Sequence, residues 1–218
     1  MDFKSQNYSI LLIESQLFPP AKVMSWMIQH DKVIIEAQEH YQKRSLRNRY
    51  YMGSNQGPIV LSVPLLKGKN RQKPIQEVEI DYKTDWPALH WKTIQSNYGR
   101  SPFFVYYKDE LKSILFTKHL FLFDLNLQTL KWALSKLSVV PIVQKSKQYH
   151  PQVENEVFDA RNKIGSQWIL EQTEPSYYQI FSLSSGFQGG LSFLDLLFHL
   201  GPESFFYLKD YPHDTIHL

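Results

Sequence analysis

The chain has no cysteine among its 218 residues. Disulfide scaffolding, thiolate catalysis and cysteine-ligated zinc are therefore excluded. No uninterrupted apolar run approaches the roughly 18 residues that a membrane-spanning helix requires. The amino-terminal stretch MDFKSQNYSILLIE reaches an acid too early for the apolar region of a secretion signal. Cytoplasmic location is the resulting expectation. Signatures of familiar enzymes are missing too. There is no G-x-x-x-x-G-K-[ST], no G-x-G-x-x-G, no H-E-x-x-H and no G-x-S-x-G. Standard P-loop, dinucleotide-dehydrogenase, zincin and α/β-hydrolase readings lose their support. The 8 histidines show no metal-ligand spacing, so neither a metal nor a cofactor is expected.

The most informative absence is of negative charge. Between Glu39 and Glu77 there is no carboxylate, yet eight lysines and arginines fall in that interval. The remaining 16 of the 24 bases face all 21 acids, so the rest of the chain is net −5. That is a local basic segment on a mildly acidic protein, unlike a general nucleic-acid coat, which is basic throughout.

What is present fits a folded domain. Hydrophobic residues make up 43% and charged residues 21%, ordinary values for a globular chain. Aromatics reach 15%, enough for core mass and for stacking surfaces. Tyr8–Ile13 reads as a buried strand. Pro19 and Pro20 then introduce a helix over Ala21–His30, since proline suits a first helical turn. Lys32–Ala37 reads as a second buried strand. This βαβ order predicts an α/β fold, with a mostly parallel sheet flanked by helices. The expectation is a single domain, with a sheet-rich portion over 1–82 and a mainly helical portion over 83–218. Further strands are expected at Arg47–Met52, Ile59–Leu66 and Val78–Tyr82, and in the VVPIV stretch. Helices are expected at 85–98, 103–116, 119–137 and in LSFLDLLFHLG. Loops are expected from Gln144 to Tyr178.

In open α/β sheets ligands bind beyond the carboxyl ends of the strands. HYQKRSLRNRYYM (His40–Met52) follows the second strand and so starts where a crevice is expected. Lys43, Arg47 and Arg49 suit phosphate or carboxylate, arginine bidentately. A solvated charged loop is the plainer alternative. A second run, KGKNRQK, brings Lys67, Lys69, Arg71 and Lys73, either as a lid over an anion or as ordinary surface. His90 lies on a stripe with Trp86, Ile94 and Tyr98, as a core histidine or as a general base. Asp195 and His199 share a helix face, as a pair that satisfies itself or as an acid and base.

Several motifs together resemble the WbqC-like family of bacterial proteins. They are FPP at Phe18–Pro20, E-x-x-E-x-Y-Q-K-x-S-x-R-N-R from Glu36 to Arg49, and LSVP at Leu61–Pro64. IDY at Ile80–Tyr82, W-x-x-x-H-W at Trp86–Trp91, SPFF at Ser101–Phe104, DLNL at Asp124–Leu127 and LSFLDLLFHLGPE at Leu191–Glu203 complete the set. The resemblance implies a link to surface polysaccharide assembly and transferase activity on activated sugars. Carried over by position, Tyr41, Lys43, Arg47, Asn48, Arg49, His90 and Asp195 match the recurrent polar positions.

The expected function is group transfer involving a nucleotide-activated sugar or a similar phosphorylated metabolite. Lys43, Arg47 and Arg49 hold the anion, Tyr41 and Asn48 orient the sugar or acceptor, and His90 or Glu36 takes a proton, with Asp195 as a further catalytic candidate. A non-catalytic binding module for an anionic metabolite is the alternative. RNA binding would use the same residues but fits poorly with the acidic remainder.

Overall fold

The apolar run following Ser9 forms β1 (Ile10–Glu14), and Pro20 caps α1 (Ala21–Ile28) before β2 (Lys32–Glu36). A computed structural model describes residues 9–68, 73–138, 141–165 and 174–212. β3 (Arg49–Met52) and β4 (Ile59–Ser62) form an antiparallel hairpin of their own. A 3-10 turn at Ile75–Glu77 precedes α2 (Trp86–Tyr98), α3 (Phe104–Phe116) and α4 (Leu122–Ser135). Asp85 caps α2 by accepting from the Ala88 amide, and Pro87 occupies its first turn. β5 (Ile142–Lys145) and β6 (Val157–Asp159) follow. The last described helices are α5 (Ser182–Ser185), α6 (Phe193–Leu200) and α7 (Ser204–Lys209).

The main sheet is parallel throughout, in the order β5-β2-β1-β6. The fold is therefore α/β with a parallel four-stranded sheet and flanking helices, as expected from the βαβ start. The chain builds outward from β1 through β2 to β5, then returns to the other side of β1 for β6. The order thus reverses between β1 and β6, the kind of position where open α/β sheets place a ligand crevice. Leu11, Ile13, Val33 and Ile35 are wholly buried, which explains the continuous apolar runs of these strands. α1 packs against α6 and α7, and α3 against both α2 and α6.

Three expectations need correction. β6 lies in the segment read as loop. It is three residues long and only half-buried, so it carries neither an apolar run nor alternation. The strand expected over Ile59–Leu66 stops at Ser62; Leu65 makes only an isolated bridge, to Ile80. Val78–Tyr82 forms no ladder, contributing bridges at Glu79 and Ile80. Lys69 and Arg71 of the second basic run lie outside the described residues.

Candidate functional site

β1 and β2 end in register at Glu14 and Glu36, so two carboxylates stand side by side at the carboxyl edge of the sheet. Both are buried, and each is held by donors. Glu14 accepts from the Gln16 side-chain amide and from the Asn162 backbone, each at 2.9 Å. Glu36 accepts from the Ser146 hydroxyl at 2.5 Å, the Gln38 backbone at 2.9 Å and Arg161 at 3.1 Å. Arg161 also forks onto Asp159 at the end of β6 and lies 4.8 Å from the Tyr149 ring.

Glu39 comes next along the chain and meets Arg47 in a bidentate pair at 2.7 and 2.5 Å. Arg47 is 1% exposed and also donates to Asn162 Oδ1 at 2.8 Å. Its carbonyl accepts from Asn126 of α4 at 2.8 Å. Burial raises the Glu39 pKa, and the Arg47 hydrogen bonds only partly offset it. Burial works against the Arg47 charge, but the bonds it donates to Glu39 and the Glu14 and Glu39 charges outweigh it and raise the Arg47 pKa.

Two clefts flank the segment Tyr41–Lys43. The first, about 400 Å³, is lined by Gln38, Glu39, His40, Tyr41, Gln42, Lys43, Tyr149 and Asn162. It lies over residues that follow β2 and β6, beyond the carboxyl ends of the sheet. The second, about 440 Å³, runs between Lys43, Arg44, Asn48 and Arg49 on one side and Ser62–Leu65 on the other. Among the described residues no carboxylate lines it. Tyr41 belongs to both. Its hydroxyl donates to Asn48 Oδ1 at 2.9 Å, and the Asn48 amide donates to the Val63 carbonyl at 2.9 Å. Burial raises the Tyr41 phenol pKa, against the pull of the Arg49 and Arg47 charges. The Arg49 Nε is buried without a hydrogen-bond partner. Exposed Lys43 has no acidic partner among the described residues.

The structure therefore brings Tyr41, Lys43, Asn48 and Arg49 together and turns Arg47 inward, behind the first cleft. β3 places Arg49 and Tyr51 on one face and Tyr50 and Met52 on the other, as alternation predicts. Arg47 precedes the strand and escapes that pattern. The two basic segments do meet at one point, because the Tyr41 amide donates to the Lys73 carbonyl at 3.1 Å. Lys73 itself pairs with Glu79.

His90, Glu36 and Asp195 line neither cleft. His90 Nδ1 lies 3.1 Å from the Tyr50 hydroxyl and Nε2 lies 3.3 Å from the Ser62 carbonyl. A carbonyl only accepts, so Nε2 carries the proton and Nδ1 accepts from Tyr50. Burial lowers the His90 pKa from 6.5 to about 4, against the Ser62 carbonyl. This is a neutral core imidazole with both nitrogens engaged. Asp195 is wholly buried and accepts from Tyr98 and Tyr177 at 2.7 Å and Gln179 at 2.9 Å. His199 donates through Nδ1 to the Asp195 carbonyl and accepts at Nε2 from the Ile180 amide. That cluster ties α2, α6 and the 177–180 segment together.

Sequence reasoning missed Glu39, Tyr149, Arg161 and Asn162. Glu39 offered one signal, since it stands at the edge of the acid-free interval, eight residues before Arg47. Asn162 offered none, because its backbone takes a left-handed φ of 59° in a segment without periodicity. Among the described residues no three His, Asp or Glu are grouped so as to hold a metal ion. No described helix is long and apolar enough to cross a membrane.

The chain is 28% identical to the uncharacterized protein Rv1507c of Mycobacterium tuberculosis, over 92% of this chain and 97% of that one. No solved structure matches it. The model of the WbqC-like protein family matches residues 14–169, from the end of β1 past Arg161 and Asn162, and the chain belongs to that family.

Proposed function

We propose that the basic cleft binds the phosphate-bearing part of a nucleotide-activated sugar or similar phosphorylated metabolite, and that the chain is a transferase acting on it in the cytoplasm. One observation carries this reading. Lys43 and Arg49 line a cleft that carries no carboxylate among the described residues, and the Arg49 Nε is buried beside it without a hydrogen-bond partner. A dianionic phosphate supplies acceptors for the Lys43 ammonium and the Arg49 guanidinium. Cations placed in this way also meet charge that grows on a departing phosphate. Tyr41 and Asn48 form a hydrogen-bonded wall able to orient the ligand.

Thermal unfolding with nucleotide sugars, free nucleotides and sugar phosphates tests the reading. A ligand at a hundred times its Kd adds about 2.7 kcal/mol. For a chain of this size that is a rise of roughly 5–10 °C. Arg49→Ala should abolish the rise while leaving the unliganded midpoint within about 2 °C. A rise that persists in Arg49→Ala, or none across the panel, refutes the assignment.

One observation favours a second reading, a binding module without turnover. His90, Glu36 and Asp195 are all satisfied by protein groups and line neither cleft. Ligand binding with no transfer to any hydroxyl or amine acceptor would support it.

A further inference from the structure

The first cleft differs from the basic one in chemistry. Glu39 lines it and Glu14, Glu36 and Asp159 lie behind it; Arg47 and Arg161 are already committed to these carboxylates, and Lys163 adds one further positive charge near Asp159. The buried floor is therefore short of positive charge, which disfavours an anion. Lys43 at the shared rim disfavours a cation. The lining itself is mostly neutral and bifunctional. Gln38, Gln42 and Asn162 offer amides, each with donor and acceptor atoms, and His40 offers an imidazole. The Tyr149 ring has one face covered by the Arg161 guanidinium and still lines the cleft, a rigid surface for an apolar ring face. Arg47 holds the two inner members in place by bonding both Glu39 and Asn162.

We infer that this cleft is the acceptor subsite, taking an uncharged polyhydroxylated molecule whose hydroxyls pair with Gln38, Glu39, Gln42 and Asn162. The acceptor role rests on the basic cleft being the site of the donor phosphate; the two clefts adjoin through Tyr41 and Lys43. In the transfer, an acceptor hydroxyl oxygen bonds to the donor carbon and its proton passes to the Glu39 carboxylate. The carbon–oxygen bond to phosphate breaks, its electron pair leaves with the phosphate, and Lys43 and Arg49 meet the new charge. Burial, which raises the Glu39 pKa, makes it a better proton acceptor than a free carboxylate.

The test is calorimetric titration of the full chain with neutral hexoses and neutral disaccharides, the matching aminohexoses and hexuronates, and separately with UDP. Each sugar is titrated with and without saturating UDP. Gln42→Ala and Tyr149→Ala alter the first cleft only, and Arg49→Ala the second only. At least one neutral sugar should bind, at least tenfold tighter than its charged counterparts. Gln42→Ala and Tyr149→Ala should each weaken it tenfold or more and leave UDP unchanged. Arg49→Ala should weaken UDP and leave the sugar unchanged in the absence of UDP. No binding of any neutral sugar to the folded chain overturns the inference, as does tighter binding of hexuronates, or loss of sugar binding in Arg49→Ala alone. Failure of UDP with the sugar arm intact instead overturns the donor assignment and leaves a polyol site.

Discussion

Arg47 was expected to grip a ligand, and its burial turns that expectation into a stability prediction. Arg47→Met removes the bidentate partner of Glu39 and leaves a carboxylate 5% exposed with no compensating cation in contact. Breaking a buried pair from one side costs about 3–5 kcal/mol. A domain has only about 5–15 kcal/mol of stability in all. At roughly 2–4 °C per kcal/mol for this size, the midpoint should fall by roughly 6–20 °C. Glu39→Met should cost a comparable amount, because the guanidinium is then stranded. The double variant Glu39→Met/Arg47→Met removes both charges and should be more stable than the sum of the singles implies, by about 2 kcal/mol or more. Urea unfolding of all four proteins closes the cycle. A single-variant cost under about 1 kcal/mol, or additivity within about 0.5 kcal/mol, would refute the claim that this pair holds the first cleft together. Lys43→Ala, on the exposed rim, is the contrast and should stay within about 0.5 kcal/mol.

Other features give shorter predictions. His90 has a folded pKa of about 4 against 6.5 unfolded, so the unfolded chain binds the proton first and stability is lost as pH falls from about 6.5 towards 4. The loss amounts to about 3 kcal/mol, and His90→Gln should flatten that limb of the urea-midpoint profile; an unchanged slope would contradict the assignment. Asp195→Ala strands the hydroxyls of Tyr98 and Tyr177 and should cost at least about 3 kcal/mol by chemical denaturation, with Asp195→Asn milder. Gly201 has φ 55°, and an added Cβ would sit 2.4 Å from the Phe103 ring. Gly201→Ala should therefore lose about 1–3 kcal/mol, and a neutral result would show that Phe103 yields freely.

The sheet's βαβ start and helices α2, α3, α4 and α6 were legible because each carries a long apolar run or a stripe at helical spacing. β6 was not, since an edge strand of three half-buried residues has no pattern to display. The charge pattern was legible only in part, for the same kind of reason. The empty acid column from 40 to 76 was visible, but folding brings Glu39 onto Arg47 and Glu79 onto Lys73 from just outside it. Local sequence counts charges and does not show who neutralises whom. Arg49 kept its place in a cleft because a strand alternates. Arg47 went inward because Asn162, 115 positions away, was waiting there.

The strand order has a consequence for how the chain acquires its fold during synthesis. β1 and β2 leave the ribosome early and can pair through α1 at once, yet both of their outer neighbours are made much later. Glu36 waits for Ser146, 110 positions on, and for Arg161, 125 positions on. Until then a nascent chain presents a two-stranded parallel core with both edges open and an uncompensated carboxylate at its end. Open edges invite pairing with the wrong chain, and contacts this distant in sequence form slowly. Truncation anywhere before residue 142 should therefore yield aggregates rather than a smaller domain, and helper proteins that shield strand edges should matter most while the middle third of the chain is being made.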